Sequence, residues 1–300
     1  MGVRVEETNE IGIDPREQLM RGLPATERRL ELAAISTAFL EAGKGTPVVL
    51  LHEQGQFAAQ WIRVIPGLLS EYRVIAPDLP GHGASRVNTG ELGAARVLAW
   101  LAELIELTCT SPPAIVGHMG GGALAARFAV EHGEKLSHLV LVDSFGLGKF
   151  RPAPRFALSL LRYLTRPNPH TYRGLMRRCT VDFDAVRGEL GNRWQSYEDY
   201  TINRARSKSG RAALRVFMKE VALPKIPSDD LAAIAVPTTL IWGRRDPAMK
   251  LRVAEEAAAR YGWPLHVIDD AGDDPPIEQP GAFLAALRSA LSPSDRRYAL

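Results

Sequence analysis

The strongest constraint on the fold is an alternation, along most of the chain, of short apolar runs with longer stretches of helical pattern. The apolar runs are rich in Val, Ile and Leu, as expected of parallel strands that helices cover on both faces. They lie at residues 47–51, 73–76, 114–116, 139–142, 238–242 and 265–268. The alternation predicts an α/β fold with a mostly parallel sheet and helices on both of its faces.

The segments between these runs predict the domain organisation. Helices are expected at 59–70, 91–108, 122–132, 252–260 and 281–291, and an antiparallel lead-in hairpin at 29–40. Between Phe145 and Ser228 the pattern is helical only, with prolines as punctuation. We therefore predict an N-terminal extension at 1–28, a core formed by 29–145 and 228–300, and a helical cap at 146–227, with a frayed tail from residue 292.

Composition excludes several classes of protein. The 300 residues carry a formal net charge of +3, a bias too weak to indicate nucleic-acid binding. Two cysteines exclude a disulfide scaffold and a cysteine-rich zinc module. No apolar run is long enough to span a bilayer, and the charged first residues do not form a signal peptide. We expect a cytoplasmic protein without a membrane or nucleic-acid partner.

Five short segments follow one another in an order that carries a family resemblance. They read VVLLHEQG at 48–55, APDLPGHGAS at 76–85, IVGHMGGG at 115–122, IWGRRDP at 241–247 and AGDDPPIEQP at 271–280. Together they resemble the α/β-hydrolase superfamily, especially its lid-bearing branch that acts on small molecules. The resemblance covers residues 29 to 145 and 228 to 291, and it implies an α/β-hydrolase fold with a helical cap insertion.

The sequence departs from this family at the positions of the catalytic triad. The family signature G-x-S-x-G presents a nucleophile on a strained strand-to-helix turn, and here Met119 holds the nucleophile position. Asp273 stands at the family's histidine position, whereas the acid position keeps Asp246. A thioether has no proton to lose and no imidazole is left as a base, so the sequence argues against ordinary ester hydrolysis.

The loop after the first core strand departs as well. Glu53 stands where family members usually have a glycine. By position, the backbone N–H groups of Gln54 and Gly120 are the two oxyanion donors. An anionic Glu53 beside them would oppose a developing oxyanion unless it is protonated or points away.

What remains at the site is acid–base chemistry by carboxyl groups. If Asp246 and Asp273 meet at the carboxyl ends of the strands, one should keep its proton while the other acts as a base, with Glu53 as a further acid. Such a dyad suits cyclisation, elimination or isomerisation of an apolar carbonyl compound without a cofactor, as in polyketide or other natural-product biosynthesis. The substrate-binding residues predicted around it are Met119, His118, Gln54, Gly120 and Ser144.

Other interpretations stay open at this point. Asp273 can be an ordinary turn residue, in which case the protein is a catalytically inactive, ligand-binding pseudoenzyme. Two kinds of hydrolase are further alternatives. In one, Asp273 activates water directly; in the other, Ser144 serves as a nucleophile at a different position from the family's. No histidine spacing indicates a metal site. The glycines at 117–122 fit the strained strand-to-helix turn around Met119, which we call the elbow, better than a dinucleotide fingerprint. Three histidines are expected to support loops: His52, His82 and His118.

The first part of the predicted cap carries only basic charges. From Lys149 to Arg178 it contains Lys and Arg but no Asp or Glu. Such a surface can attract a carboxylate or a carrier-linked substrate, or it can be a solvated helix face that acidic residues of the core balance. The apolar residues between these basic residues are expected to cover an apolar pocket. The predicted partner is therefore an apolar small molecule, which can also be anionic or linked to a carrier.

Overall fold

A computed structural model describes residues 14–292, in which nine strands form one sheet. The strands are β1 (Thr26–Leu32), β2 (Ile35–Gly43), β3 (Thr46–Leu51), β4 (Tyr72–Pro77), β5 (Arg86–Val87), β6 (Ala114–His118), β7 (His138–Val142), β8 (Thr238–Gly243) and β9 (Leu265–Ile268). Their order is β1-β2-β4-β3-β6-β7-β8-β9, with β5 beside β2. β1 and β2 form an antiparallel hairpin, whereas the strands from β4 to β9 along this order pair in parallel.

The register of the parallel strands brings their carboxyl ends together. Gly117 of β6 lies opposite Leu51 of β3 on one side and Leu141 of β7 on the other. Every residue of β6 and β7 is buried, because helices cover both faces of the sheet. The residues that follow β3, β6 and β7 are therefore neighbours at one edge, where open α/β sheets bind their ligands.

Helices flank the sheet and form the insertion above that edge. They are α1 (Pro15–Met20), α2 (Ile65–Leu68), α3 (Ala94–Thr108), α4 (Gly120–His132), α5 (Pro154–Thr165), α6 (Pro169–Cys179), α7 (Phe183–Leu190), α8 (Asn192–Arg206), α9 (Lys208–Phe217), α10 (Ser228–Ala232), α11 (Leu251–Tyr261), α12 (Pro275–Glu278) and α13 (Pro280–Leu291). Helices α5 to α9 follow one another between β7 and β8, and we call them the cap.

Local sequence explains how the cap helices begin and how they are held together. A capping box starts α6, since Asn168 accepts from the Thr171 N–H and Thr171 accepts from the Asn168 N–H. Asp182 caps α7 in the same way through the Ala185 N–H. Arg173 of α6 then forms a two-bond ion pair with the fully buried Glu198 of α8, which fixes these two helices against each other.

The α/β-hydrolase fold predicted from the sequence is confirmed, with local differences. The hairpin runs from Thr26 to Gly43, longer than the expected 29–40. The single helix expected at 59–70 is wrong: a 3₁₀ helix (Ala58–Arg63) is followed by the short α2, because Pro66 cannot donate the N–H that would continue the first helix. The predicted extension at 1–28 contains α1 and the start of β1. Residues 1–13 of this extension, and residues 293–300 of the predicted tail, lie outside the described residues. Across residues 14–292, no helix combines the length and apolarity needed to cross a bilayer.

Candidate active site

A cavity of about 240 Å³ lies between the cap and the carboxyl ends of the strands. At ~30 Å³ per water this is space for about eight waters, so a modest organic ligand fits. Its apolar lining comes mainly from the cap and includes Phe156, Leu160, Tyr163, Tyr172, Leu175 and Tyr197. Its polar lining at the strand ends includes Glu53, Gln54, Gln56, His82, Asp273 and Asp274. A mostly apolar pocket with a few convergent polar groups is typical of a small-molecule site.

Met119 lies on the cavity wall in the strained turn that joins β6 to α4. Its φ of 49° and ψ of −110° place a non-glycine residue in a region that costs on the order of 1–3 kcal/mol. The turn also needs glycine beside it, because a Cβ on Gly121 would lie 2.5 Å from the carbonyl oxygens of Leu51 and His52. The backbone thus has the geometry that presents a nucleophile in G-x-S-x-G enzymes, but it presents a thioether.

Three carboxyl side chains line the same cavity. Glu53 comes from the loop after β3, and Asp273 and Asp274 come from the loop after β9. Asp273 and Asp274 are buried, with 7% and 6% of their surface exposed. The pKa of each of the three groups is raised well above its usual range. Burial has the largest effect on each pKa, and repulsion by neighbouring carboxylates has the second largest.

The charges that act most strongly on these three acids are other carboxylates. Glu53 is affected by Asp274 and Asp273, Asp273 by Asp246, and Asp274 by Asp273. Like charges in a poorly solvated site cannot all ionise, so part of the cluster stays protonated at neutral pH. The cavity therefore offers proton donors and proton acceptors side by side.

A buried glutamine holds the two acid-bearing loops in place. The Gln60 Oε1 accepts from the Glu53 N–H at 2.8 Å, and its Nε2 donates to His118 Nδ1 at 2.8 Å and to Asp274 Oδ1 at 3.4 Å. His118 completes the network by donating from Nε2 to the Asp273 carbonyl oxygen at 2.6 Å. Burial lowers the pKa of His118 to about 4, so this imidazole is neutral and serves as a fixed link between β6 and the Asp273 loop.

Asp246 meets Asp143, not Asp273, as its hydrogen-bonding neighbour. Asp246 Oδ1 accepts from the backbone of Ala248 and Met249, at 2.6 and 2.8 Å, and Asp143 Oδ1 accepts from Gly243 at 2.9 Å. Their Oδ2 atoms are buried and have no hydrogen-bond partner that the geometry of the described chain shows, and each carboxyl acts on the pKa of the other. Burial raises the pKa of Asp246 to about 8 and that of Asp143 well above its usual range.

The oxyanion donor expected at Gly120 is already engaged by the protein. Its backbone N–H donates to the side-chain oxygen Oε1 of Gln54 at 2.9 Å. This amide oxygen takes the place that a substrate oxygen occupies in an acyl-transfer enzyme. A substrate carbonyl can use the Gly120 N–H only after it displaces Gln54.

His52 also supports the site from below. Its Nδ1 donates to the Glu53 carbonyl oxygen at 2.6 Å, and its Nε2 accepts from the Leu79 N–H at 2.9 Å. Burial lowers its pKa to about 3, so this imidazole is neutral too. His52 and His118 act as the loop supports that the sequence predicts.

The structure brings together only part of the predicted site. The cavity lining includes four of the predicted residues: Glu53, Gln54, Met119 and Asp273. Four others lie outside this lining: Asp246, His118, Gly120 and Ser144. Ser144 is fully buried where Gly122 of α4 packs against it, and its hydroxyl donates to the Phe145 carbonyl, so the substrate-binding role predicted for it does not fit.

Sequence reasoning missed other residues of the site. These are Gln56, Gln60, Cys179 and Asp274. The adjacent acids at 273 and 274 were a visible signal for Asp274. Asp143 stands at a strand end that the sequence already offers as an alternative acid position, and its φ of 44° is unusual for a residue other than glycine.

The basic stretch of the cap faces away from the cavity. Its charged residues from Lys149 to Arg178 are outside the cavity lining; Arg173 pairs with Glu198 and the remainder are exposed. The cations that do line the cavity are Arg204 of α8 and Arg211 of α9. Among the described residues, no three His, Cys, Asp or Glu side chains are arranged to hold a metal ion.

Comparison with known proteins gives the site a family context. Residues 48–287 match the model of the Alpha/beta hydrolase family. The chain is 38% identical to 2-hydroxy-6-oxo-6-(2'-aminophenyl)hexa-2,4-dienoic acid hydrolase from Metapseudomonas resinovorans, over 89% of this chain and 91% of that protein. It is 28% identical to 2-hydroxy-6-oxo-6-phenylhexa-2,4-dienoate hydrolase from Comamonas testosteroni, over 69% and 73%. The solved structure of the hydrolase of that name from Rhodococcus sp. strain RHA1 superposes with a TM-score of 0.77 at 24% identity, over 89% and 98% of the two chains.

Proposed function

This chain belongs to the alpha/beta hydrolase family, and we propose that it is an enzyme that has exchanged nucleophilic hydrolysis for acid–base chemistry. The observation that carries the proposal is the cluster of Glu53, Asp273 and Asp274 in an apolar cavity, beside a thioether at the nucleophile position. The reaction class is cyclisation, elimination or isomerisation of an apolar carbonyl compound, as in natural-product biosynthesis.

The chemistry follows from the mixed protonation of the cluster. An ionised carboxylate removes a proton from the carbon beside the substrate carbonyl, and a neutral neighbour gives its proton to the carbonyl oxygen. The product of this step is a neutral enol, and the cluster holds as many protons as before. The enol then takes a proton at another carbon (isomerisation), expels a leaving group (elimination) or attacks a second carbonyl carbon (cyclisation). In each case the enol hydroxyl gives its proton back to a carboxylate of the cluster as the carbonyl forms again.

The site disfavours the acyl-enzyme route on three grounds. Met119 has no proton to lose, the imidazole of the triad is replaced by Asp273, and the Gly120 N–H is bonded to Gln54. Each group is needed in a serine hydrolase for a separate part of the reaction, and the loss of one alone costs several orders of magnitude in rate. A covalent intermediate on this elbow is therefore not part of the proposal.

The relatives support an apolar, unsaturated carbonyl compound as the substrate class. The names of the two hydrolases from Metapseudomonas and Comamonas describe oxo-dienoic acids with an aryl group. The aromatic and aliphatic lining from the cap suits an aryl or polyene body of this kind. Their names also favour a second candidate, hydrolysis by water that an ionised Asp273 activates.

Product analysis tests the proposal and separates it from the second candidate. The protein and its Asp273→Asn variant are incubated with extract of the cells that encode it, and the compounds consumed are followed by mass spectrometry. Asp270→Asn, the same change at an exposed carboxyl on the same loop, is the matched control. A product of unchanged mass, or one that has lost water or a small acid, is expected from wild type and control only. Gain of one water would establish hydrolysis instead, and equal turnover by Asp273→Asn would refute the role of this acid.

A further inference from the structure

His82 lines the cavity and carries a buried hydrogen-bond acceptor that no group of the described residues uses. It comes from the loop after β4, it is 2% exposed, and it is part of the cavity lining. Its Nδ1 lies 3.1 Å from the Pro80 carbonyl oxygen and must carry the ring proton, because a carbonyl can only accept. Nε2 is then a bare acceptor, and within residues 14–292 no protein group bonds to it.

The ring of His82 is fixed in this orientation and stays neutral. It packs edge-on against Phe217 and His52, with ring centroids 5.5 and 5.6 Å away. Burial lowers its pKa to about 3, so the imidazole keeps a single proton at neutral pH. A fixed, dry acceptor without a partner is costly unless a ligand donates to it.

A cationic donor stands beside this acceptor. Arg204 of α8 lines the cavity, and its Nη2 donates to the carbonyl oxygen of Gly81, the residue before His82, at 2.6 Å. The guanidinium has further N–H groups, and its charge is one of those that act on the imidazole. The cavity lining therefore includes an acceptor and, bonded to the backbone of the preceding residue, a positive donor.

A hydroxyl group fits both partners at once. Its hydrogen can be donated to His82 Nε2 while its oxygen accepts from Arg204. A carboxylate has no hydrogen to donate and an ammonium group has no lone pair to accept with, so each would leave one partner unpaired. The aromatic cap residues around the cavity favour an aryl group as the carrier of the hydroxyl.

We propose that His82 and Arg204 bind a phenolic hydroxyl of the substrate while the acid cluster takes its carbonyl group. This placement rests on the proposed function for the carbonyl end only. In the sheet, β4 and β9 lie on opposite sides of β6, so the loops that carry His82 and Asp273 flank Met119. A hydroxyaryl ketone bound across Met119 reaches both ends of the site.

Calorimetric titration with matched small probes tests the hydroxyl site. The first pair is 4'-hydroxyacetophenone and 4'-methylacetophenone; the second pair, without a carbonyl, is 4-ethylphenol and 4-ethyltoluene. Wild type is expected to prefer the hydroxyl member of each pair by about tenfold, since an unpaired buried acceptor penalises the methyl analogue. His82→Leu should abolish the preference, whereas His82→Gln, which keeps an acceptor, should retain part of it.

The outcomes separate this proposal from the proposed function. Equal binding of both members of each pair by wild type, or an unchanged preference in His82→Leu, overturns the hydroxyl site. If the hydroxyl probes bind more tightly but the ketones have no higher affinity than the carbonyl-free probes, the hydroxyl site is supported. The same result counts against a contact between the acid cluster and the substrate carbonyl. If His82→Leu does not fold, Arg204→Met carries the test, because it keeps the apolar stem and should weaken the preference. His266→Leu, on β9 and outside the cavity lining, is the control.

Discussion

The Gln60 side chain is predicted to be the main polar support of the site, and its replacement by methionine measures this role. Gln60 is fully buried in the 3₁₀ helix Ala58–Arg63, and methionine has a similar length and volume without strong hydrogen-bonding groups. The substitution leaves two buried partners without a bond: the Glu53 N–H and His118 Nδ1.

The expected cost follows from these two orphaned groups. Each buried polar group that loses its partner costs about 1–3 kcal/mol, so Gln60→Met should lower the free energy of unfolding by about 4 kcal/mol. For a chain of 300 residues, this corresponds to a fall in melting temperature of roughly 6 °C. The weaker 3.4 Å contact with Asp274 adds little.

A second buried glutamine provides the matched control. Gln56 is 6% exposed, but its Oε1 has no partner in the described part of the chain and its Nε2 lies 3.5 Å from Thr201 Oγ1. Gln56→Met should therefore cost less than about 1 kcal/mol. Urea titrations of both variants, followed by far-ultraviolet circular dichroism, give the comparison. Equal losses in the two variants would refute the reasoning that the Gln60 network organises the site.

Three further predictions address protons, the elbow and the cap. Asp246 has a folded-state pKa raised from 3.8 to about 8, so the stability that it contributes is complete below pH 4 and is lost as the pH rises through 8. Between pH 7 and 8, where the unfolded chain has already lost the Asp246 proton and the folded protein still holds most of it, stability should fall by about 1 kcal/mol for this group, and Asp246→Asn should flatten that slope in denaturation curves. Met119→Ser should leave hydrolysis of p-nitrophenyl acetate at the buffer rate, because Asp273 stands where the resemblance places the activating imidazole; a clear esterase burst would contradict this. Gly121→Ala should cost about 1–3 kcal/mol by crowding Leu51 and His52, whereas Gly174→Ala, with open space in the middle of α6, should stabilise by about 1 kcal/mol in the same assay.

The elbow and the strands could be predicted because their causes are local. The spacing of Gly117 and Gly121 around Met119 reflects backbone contacts within one turn and with the neighbouring strand. Short, uniformly apolar runs predicted buried parallel strands for the same reason, since both faces of each strand are covered. The fold could therefore be inferred although Met119 and Asp273 stand at the positions where the resemblance implies a nucleophile and a histidine.

The polar network of the site could not be predicted, because its members meet only after folding. Gln60 is 58 residues from His118 and 214 from Asp274 along the chain, and nothing near it in sequence marks it. The sequence predicted a loop-supporting role for His82, and the contact of its Nδ1 with the Pro80 carbonyl oxygen is consistent with that role. That its Nε2 has no partner among the described residues could not be predicted, because this depends on how Phe217 and α8 pack around the ring. Asp246 was expected to act together with Asp273, and it does act on the pKa of Asp273, but the sequence did not indicate that Asp246 also interacts with Asp143 at the end of the neighbouring strand.

Hydrogen–deuterium exchange at carbon tests the central claim most directly. Aryl methyl ketones such as 4'-hydroxyacetophenone are incubated in D₂O with the protein, with Asp273→Asn and with Asp270→Asn, and deuterium at the methyl group is followed by proton NMR. Proton removal beside a carbonyl needs no covalent intermediate and no leaving group, so it isolates the acid–base step. The account predicts exchange well above the buffer rate for wild type and for Asp270→Asn, and its loss in Asp273→Asn. Exchange at the buffer rate in all three, or undiminished exchange in Asp273→Asn, would contradict it.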